Sequence, residues 1–361
     1  MFENIFRISD KILSIFLFDT TSLGCADRVV LSAAFLTVFT LILITSSYLV
    51  VDLIVSRKVV GQLNKKSVFV TGCDSGFGNL LAKSLVKRGV KVFAGCLTDG
   101  GAAQLESETS SLLQTLVVDI TQRESVKKAL DFISRRIGSE GLWGLVNNAG
   151  VMSTFSPTEC TSYEDFERVL HVNITGTLSV THAFLPLLRK SRGRIVTVCS
   201  ATSTVAYPGI TNYATSKAAL KMFCSCLRRE FFNSGLKVIT IEPGGFRTNL
   251  TEQESLANMV HKGFKTATKE QQDFYGGNIA EYIMGGVRLA SQYVNNRPQS
   301  VADAMAHALL AKYPKICYPV GYDAYLFFGF MRMIPEWVGD YILGWPAPYG
   351  RQCEDFKQHN D

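Results

Sequence analysis

The chain carries nine cysteines without regular spacing and five histidines that form no cluster. That excludes a disulfide framework or a structural zinc site as the organising device. Reduced, mostly buried thiols are expected instead, and no metal. A net charge of +6 comes from lysines and arginines scattered along the chain, not gathered into a stripe. No nucleic-acid partner is therefore expected. Between Val29 and Val51 there is neither a charged residue nor a proline. No A-x-A-like site comes after this stretch, which starts too late and runs too long for an ordinary secretory signal peptide.

As a helix, 29–51 would extend about 35 Å, enough to cross a bilayer core with some tilt. Residues 1–60 are accordingly read as an anchor segment with a transmembrane helix at 29–51, preceded by an apolar patch at Ile12–Phe18. A hydrophobic content of 47% and a mean hydropathy of +0.14 agree with a large core plus a part that meets lipid. Basic residues flank both ends, Arg7, Lys11 and Arg28 before and Arg57, Lys58, Lys65 and Lys66 after. Their bias points the catalytic part of the chain toward the cytosol.

From Lys65 the pattern becomes α/β. Apolar runs at Ser67–Thr71, Lys91–Cys96, Thr115–Val118, Leu142–Val146, Arg194–Cys199 and Lys237–Glu242 read as strands. Helical patterns separate them. Thr121 with Glu124, and Thr161 with Glu164, have capping-box spacing. Alternating strands and helices predict a Rossmann-like, doubly wound parallel sheet with helices on both faces, over 61–322. Residues 246–274 read as a polar, irregular substrate lid. Helices near 278–293 and 301–313 come next, then a last strand, Ile316–Val320. The tail, 323–361, is aromatic over 323–345 but interrupted by Arg332, Pro335, Glu336 and Asp340. It reads as an amphipathic, membrane-lying segment.

Thr71-Gly-Cys-Asp-Ser-Gly-Phe-Gly78 lies between the first strand and a helix. Glycines there permit a tight turn and let the backbone approach a pyrophosphate, whose charge the helix N-terminus favours. No cation waits at the end of the second strand, where Cys96, Leu97, Thr98 and Asp99 stand. NAD is therefore expected, with NADP as the alternative. Asp99 is a loose substitute for the usual ribose-binding acid. Asp119, ending the third strand, could accept from an adenine amino group. Asn147-Asn-Ala-Gly150 ends the fourth strand beside the cofactor edge.

Tyr213 and Lys217 stand one helical turn apart, so the ammonium is expected to lower the phenol pKa toward working pH. Tyr213 then suits proton exchange with an alcohol/ketone pair. Ser200, at the end of a buried strand thirteen residues upstream, could hydrogen-bond the same substrate oxygen.

Together, TGx3GxG at 71–78, NNAG at 147–150, Asn173, Ser200, YxxxK at 213–217 and Pro243-Gly244 with Thr248 resemble the short-chain dehydrogenase/reductase family. The wording TGCDSGFG, VFAGCL, LWGLVNNAG and IEPGGFRT is similar to its membrane-bound branch of retinol dehydrogenases, 17-beta-hydroxysteroid dehydrogenase type 2 and D-3-hydroxybutyrate dehydrogenase. The sequence departs from the family at Cys199-Ser200-Ala201, where Ser-Ser or Thr-Ser is commoner, and at Gly245, where a bulkier residue is usual.

The resemblance implies Tyr213 as general acid/base, Lys217 on the nicotinamide ribose, Ser200 orienting the substrate and Asn173 holding a relay water. The implied cofactor set is Thr71, Gly72, Ser75, Gly76, Phe77, Gly78, Asp119, Asn147, Ala149, Gly150, Tyr213, Lys217, Pro243, Gly244 and Thr248. Expected, then, is an endoplasmic-reticulum enzyme for a lipophilic alcohol (a steroid, sterol or retinoid), homo-oligomeric, with a mitochondrial membrane as the alternative site. A hydroxybutyrate-type enzyme, using Arg247, Lys262 or Lys265 for a carboxylate, and a non-catalytic scaffold are the competing readings. Asn173-Ile-Thr and Asn249-Leu-Thr251 match glycosylation sequons; the first would lie inaccessible in the cleft.

Overall fold

The computed structural model describes residues 25–248, 251–265, 267–275 and 279–344. The patch at Ile12–Phe18, Asn249 of the second sequon and the end of the tail lie outside them. The chain forms two compact units, one of residues 1–59 with 311–313 and one of 60–310 with 314–361.

In the first unit α1 (Cys25–Ser56) is a helix of 32 residues. Most of its described apolar side chains are open, from Leu31 at 42% to Val30 at 68% exposure, with Phe35 and Val55 half-buried. Among the described residues no helix is long and apolar enough to cross a membrane.

The second unit is built on seven parallel strands in the order β3-β2-β1-β4-β5-β6-β7. They are β1 (Ser67–Thr71), β2 (Lys91–Cys96), β3 (Leu113–Val117), β4 (Gly144–Asn147), β5 (Arg194–Val198), β6 (Lys237–Pro243) and β7 (Cys317–Val320). Strand side chains alternate between faces. Val68 and Val70 pack in one core with Leu81 and Leu85 of α2 (Gly76–Lys87) and Met305 and Leu309 of α11 (Gln299–Leu310). Phe69 faces the other, with Ile133 of α4 (Arg123–Ile137), Phe184 of α6 (Thr177–Ser191) and Leu227 of α7 (Thr211–Glu230). Two covered faces are what a parallel sheet needs. The strand order reverses between β1 and β4, which opens a crevice at their carboxyl ends. The connection from β2 to β3 carries α3 (Asp99–Ser107).

Three local expectations are corrected. Helix α4 begins after Gln122, which makes no side-chain cap; Thr121 instead donates to the Asp119 carboxylate through N–H (2.9 Å) and hydroxyl (2.7 Å). Helix α5 (Tyr163–Leu170) is capped by Ser162, which accepts from Asp165 N, because Thr161 turns toward Ser156 and Thr154. The lid is not irregular: 246–274 holds α8 (Gln253–Lys265) and α9 (Lys269–Tyr275). With α10 (Ile279–Tyr293) it forms its own small core of Val260, Ile283, Met284 and Val287 around Phe155. The described part of the tail holds α12 (Tyr322–Tyr325), α13 (Phe327–Met331) and α14 (Glu336–Leu343).

Candidate active site

Beyond β1 the backbone turns through Gly72 (φ 69°) and Gly76 (φ 63°), where a left-handed conformation suits glycine. A Cβ on Gly72 would lie 2.8 Å from Ala149 Cα, and one on Gly78 would collide with Gly72 O and Asn148 Nδ2. The turn therefore sits directly on the β4 end. Asn148 holds it there, donating from Nδ2 to Thr71 O (3.0 Å) and Gly72 O (2.9 Å). Thr71 Oγ1 accepts in return from the N–H groups of Asn148 (3.1 Å) and Ala149 (3.2 Å). Asn148 was not among the expected site residues, although its neighbours were.

The acid at the β2 end is Asp74, not Asp99. Asp74 accepts from Leu97 N (2.7 Å), Thr98 N (3.0 Å) and Thr98 Oγ1 (2.8 Å). Asp99 begins α3 behind the Thr98 cap and does not line the cleft. The cleft measures about 470 Å³. Its walls include Gly72, Ser75, Gly76, Phe77, Asp119, Ala149, Gly150, Tyr213, Lys217 and Thr248 of the expected set. Thr71, Gly78 and Asn147 lie buried beneath it. Asn147 donates to Thr181 Oγ1 (2.9 Å), and its own Oδ1 is buried without a partner. Pro243 and Gly244 do not line the cleft; Gly244 faces the Asp323 carboxylate. Thr248 caps no helix; its N–H donates to Thr251 Oγ1 (2.9 Å).

At the other end of the cleft Lys217 Nζ donates to Val198 O (2.8 Å) and lies 5.6 Å from the centre of the Tyr213 ring. A Cβ on Gly150 would stand 3.3 Å from that nitrogen and 3.2 Å from Asn173 Oδ1. Ser200 Oγ accepts from Thr202 N (3.1 Å) and Thr202 Oγ1 (2.9 Å). With its lone pairs so occupied, its own O–H is left to donate, and it lies beside the Tyr213 phenol. Thr202 is a second residue that motif reading missed.

Burial pushes the Tyr213 phenol up to about 12; the Ser200 hydroxyl opposes this and neighbouring Cys199 adds to it. The expected lowering by Lys217 is absent, because its ammonium is directed to the Val198 carbonyl. Burial lowers the Lys217 pKa.

Asn173 sits in a π-helical turn, His171–Gly176, inserted between α5 and α6, a distortion frequent at functional sites. Its amide accepts from Val151 N (2.8 Å) and donates to Val151 O and Ser216 Oγ (both 2.9 Å). It thus ties the loop after Gly150 to α7.

The loop cations are elsewhere. Lys262 is paired with Asp165, Arg247 and Lys265 are exposed, and none of the three lines the cleft. Among the described residues no group of histidine, cysteine, aspartate and glutamate side chains could hold a metal. Cys73, Cys96, Cys160, Cys199 and Cys224 are buried.

The family model for short chain dehydrogenases matches residues 66–258. Retinol dehydrogenase 7 of Rattus norvegicus is 42% identical over 80% of this chain and 91% of its own length. The 17-beta-hydroxysteroid dehydrogenase type 6 of Homo sapiens is 40% identical over 81% and 92%. A short-chain dehydrogenase structure from Streptomyces avermitilis superposes with a TM-score of 0.61 at 23% identity, over 82% of this chain and 99% of that one. The chain belongs to the short chain dehydrogenase family, as an NAD(P)-dependent oxidoreductase.

Proposed function

We propose that the protein interconverts a lipophilic alcohol, of retinoid or steroid type, and its carbonyl. The observation that carries this is that Tyr213 and Lys217 line one end of a cleft of about 470 Å³, with Ser200 beside the phenol and none of the loop cations in the lining. The relatives bearing retinol and 17-beta-hydroxysteroid dehydrogenase names support the substrate class. A hydroxy-acid substrate would need a cation, and the three candidates are exposed or paired. The scaffold reading has no support in a site with every polar position filled.

The glycine cradle, which a Cβ at Gly72 or Gly78 would obstruct, fits a dinucleotide, and the bound nicotinamide would supply or accept the hydride. Gly72, Gly76 and Gly78 would admit the pyrophosphate, Asp119 and Ile120 the adenine edge, and Lys217 the nicotinamide ribose. NAD is favoured over NADP because Asp74 places a carboxylate at the β2 end, where a 2′-phosphate would meet its charge. Tyr213 gives its proton to the substrate oxygen in reduction and takes it back in oxidation. Ser200, held by Thr202, orients that oxygen. Asn173 keeps the loop after Gly150 against α7 and would hold a relay water through the second lone pair of its Oδ1.

Membrane association belongs to the same proposal. The sequence of α1 has an uncharged run at 29–51, and the tail turns Tyr322 (83% exposed), Leu326 (72%), Met333 (78%) and Tyr341 (86%) outward. Such a face suits the lipid interface. An endoplasmic-reticulum membrane with a cytosolic catalytic unit, and a homo-oligomer, complete the reading.

The test is reduced-nicotinamide absorbance with detergent-solubilised protein, NAD or NADP, and retinol, a 17-hydroxysteroid, a 3-hydroxysteroid or 3-hydroxybutyrate. Turnover of a lipophilic alcohol with NAD is expected. Tyr213→Phe should lower kcat by about 10²–10⁴-fold with reduced-cofactor binding retained. Turnover of hydroxybutyrate alone would refute the substrate class.

A further inference from the structure

Glu242 is a fully buried carboxylate in the strand that leads into Pro243-Gly244. It accepts from Lys221 Nζ (2.7 Å) through one oxygen and from Arg332 Nη2 (2.8 Å) through the other. Thr240 Oγ1 adds a longer contact to the first oxygen (3.4 Å). Lys221 is one turn beyond Lys217 on α7, on the same helix as Tyr213. Arg332 belongs to the tail, just after α13.

The tail makes a second polar contact of the same kind. Asp323 accepts from Gly245 N (2.6 Å), and its carboxylate fills the space that a side chain on Gly244 would need. Between these contacts Ala324, Phe328 and Met331 pack on Ala201 and Val205, in the loop that joins Ser200 to α7. The tail therefore touches the frame of the proton-transfer groups at three places: the loop after Ser200, the helix of Tyr213 and Lys217 by way of Glu242, and the turn after β6.

We propose that Arg332 and Asp323 are positioning residues for the alcohol–carbonyl reaction: through Glu242 and Gly245 the tail sets where α7 and the β6 turn stand relative to each other. This rests on the oxidoreductase reading above. Neither residue touches the reacting atoms. A buried carboxylate with two cations has one preferred placement, whereas Lys221 alone, itself partly solvated, leaves the second oxygen unpaired. A shift of α7 by a fraction of an ångström would misalign Tyr213 with the substrate oxygen. In this reading the apolar outer face of the tail and its charged inner contacts belong to one element with two tasks.

The experiment compares full-length Arg332→Ala, Arg332→Lys and Asp323→Asn with the unsubstituted protein. It reads kcat, KM for alcohol and cofactor, the primary deuterium isotope effect on kcat, and backbone hydrogen exchange over 211–222 and 243–248. For Arg332→Ala we expect kcat to fall about 10–100-fold with cofactor KM within about threefold, since misplacement near the chemistry has costs of that order. The isotope effect should rise, as the chemical step becomes slower, and exchange should quicken in both segments. Asp323→Asn should act mainly on 243–248. Arg332→Lys should recover most of kcat and the exchange protection.

Wild-type kcat and isotope effect in a folded Arg332→Ala protein would overturn the proposal. So would a kcat loss that only tracks the unfolded fraction, or Arg332→Lys failing to recover. If the unsubstituted protein turned over no alcohol, the substrate reading would fall while hydrogen exchange still decided this one. Unchanged exchange in Arg332→Ala would then count against it, and quickened exchange restored by lysine would support it.

Discussion

The two ends of the cleft are held together by different physics. At the nucleotide end, neutral hydrogen bonds join the ends of adjacent strands: Asn148 to the Thr71 and Gly72 carbonyls, and the N–H groups of Asn148 and Ala149 to Thr71. Even its charged member, Asp74, is satisfied by backbone N–H groups and one hydroxyl. At the proton-transfer end, full charges from distant segments converge on a buried carboxylate, Lys221 and Arg332 on Glu242. The first arrangement tolerates little change in shape but carries no unpaired charge when perturbed. The second tolerates changes of shape in its flexible cations but not the loss of one. Steric substitutions should therefore be worst at the nucleotide end, and charge deletions worst at the other.

The largest expected effect is Gly78→Val. Its side chain would collide with Gly72 O and Asn148 Nδ2, both parts of a rigid turn. Affinity for reduced cofactor, read by fluorescence titration, should fall by about 10²-fold or more. A valine variant with unchanged affinity would show that the turn can shift, and would weaken the contrast. Next is Arg332→Ala, which leaves Glu242, at 0% exposure, with one cation. A loss of about 2–3 kcal/mol in denaturant unfolding is expected, at the low end for a broken buried pair because Arg332 is partly exposed. Glu242→Gln should have a milder outcome, since both cations can turn to solvent.

Asp74→Ser should narrow the preference for NAD over NADP by about tenfold, close to the roughly 1 kcal/mol of two charges about 4 Å apart under full water screening. The ratio of kcat/KM values for the two cofactors measures it, and an unchanged ratio would remove Asp74 from the ribose site. The smallest effect is in pH. Burial raises the Glu242 pKa, but its hydrogen bonds and the charges of Lys221 and Arg332 outweigh this and hold it below 4.5. A depressed acid contributes stability above its unfolded pKa and loses it as pH falls through the folded value. Tm should hence fall more steeply below pH 4.5 in the unsubstituted protein than in Glu242→Gln. The ligand-free Tyr213 phenol, raised to about 12, should stay protonated through pH 10, and ultraviolet titration would detect it.

Legibility in the amino-acid order divides along the same line. The glycine turn, NNAG and YxxxK are local: residues a few positions apart meet in any structure with those elements, so their placement was legible. The order of residues points to Asp99 because chain proximity to β2 is visible in it, whereas the cross-strand proximity that brings Asp74 there is not. The β1–β2 register, Thr71 opposite Gly95, brings residue 74 to Leu97 and Thr98. The lid helix α8 had a signal, Leu256, Val260 and Phe264 at i, i+4 and i+8, that its polar surroundings hid. The Lys217 effect on Tyr213 failed for a similar reason. Helical spacing puts the two residues on one face, but the Val198 carbonyl, on another element, takes the ammonium.

The amino-acid order by itself therefore determined the parallel sheet, the glycine turn after β1 and the placing of Tyr213 and Lys217 one turn apart on α7, because each depends on periodicity or on contacts within one strand–turn–helix unit. Only the tertiary structure decided which acid stands at the β2 end, which partners hold Ser200 and Lys217, and that residues 323 and 332 reach β6 and the turn after it. Those depend on strand register and on long-range burial of charge, where a carboxylate at 0% exposure must find its cations wherever the fold brings them.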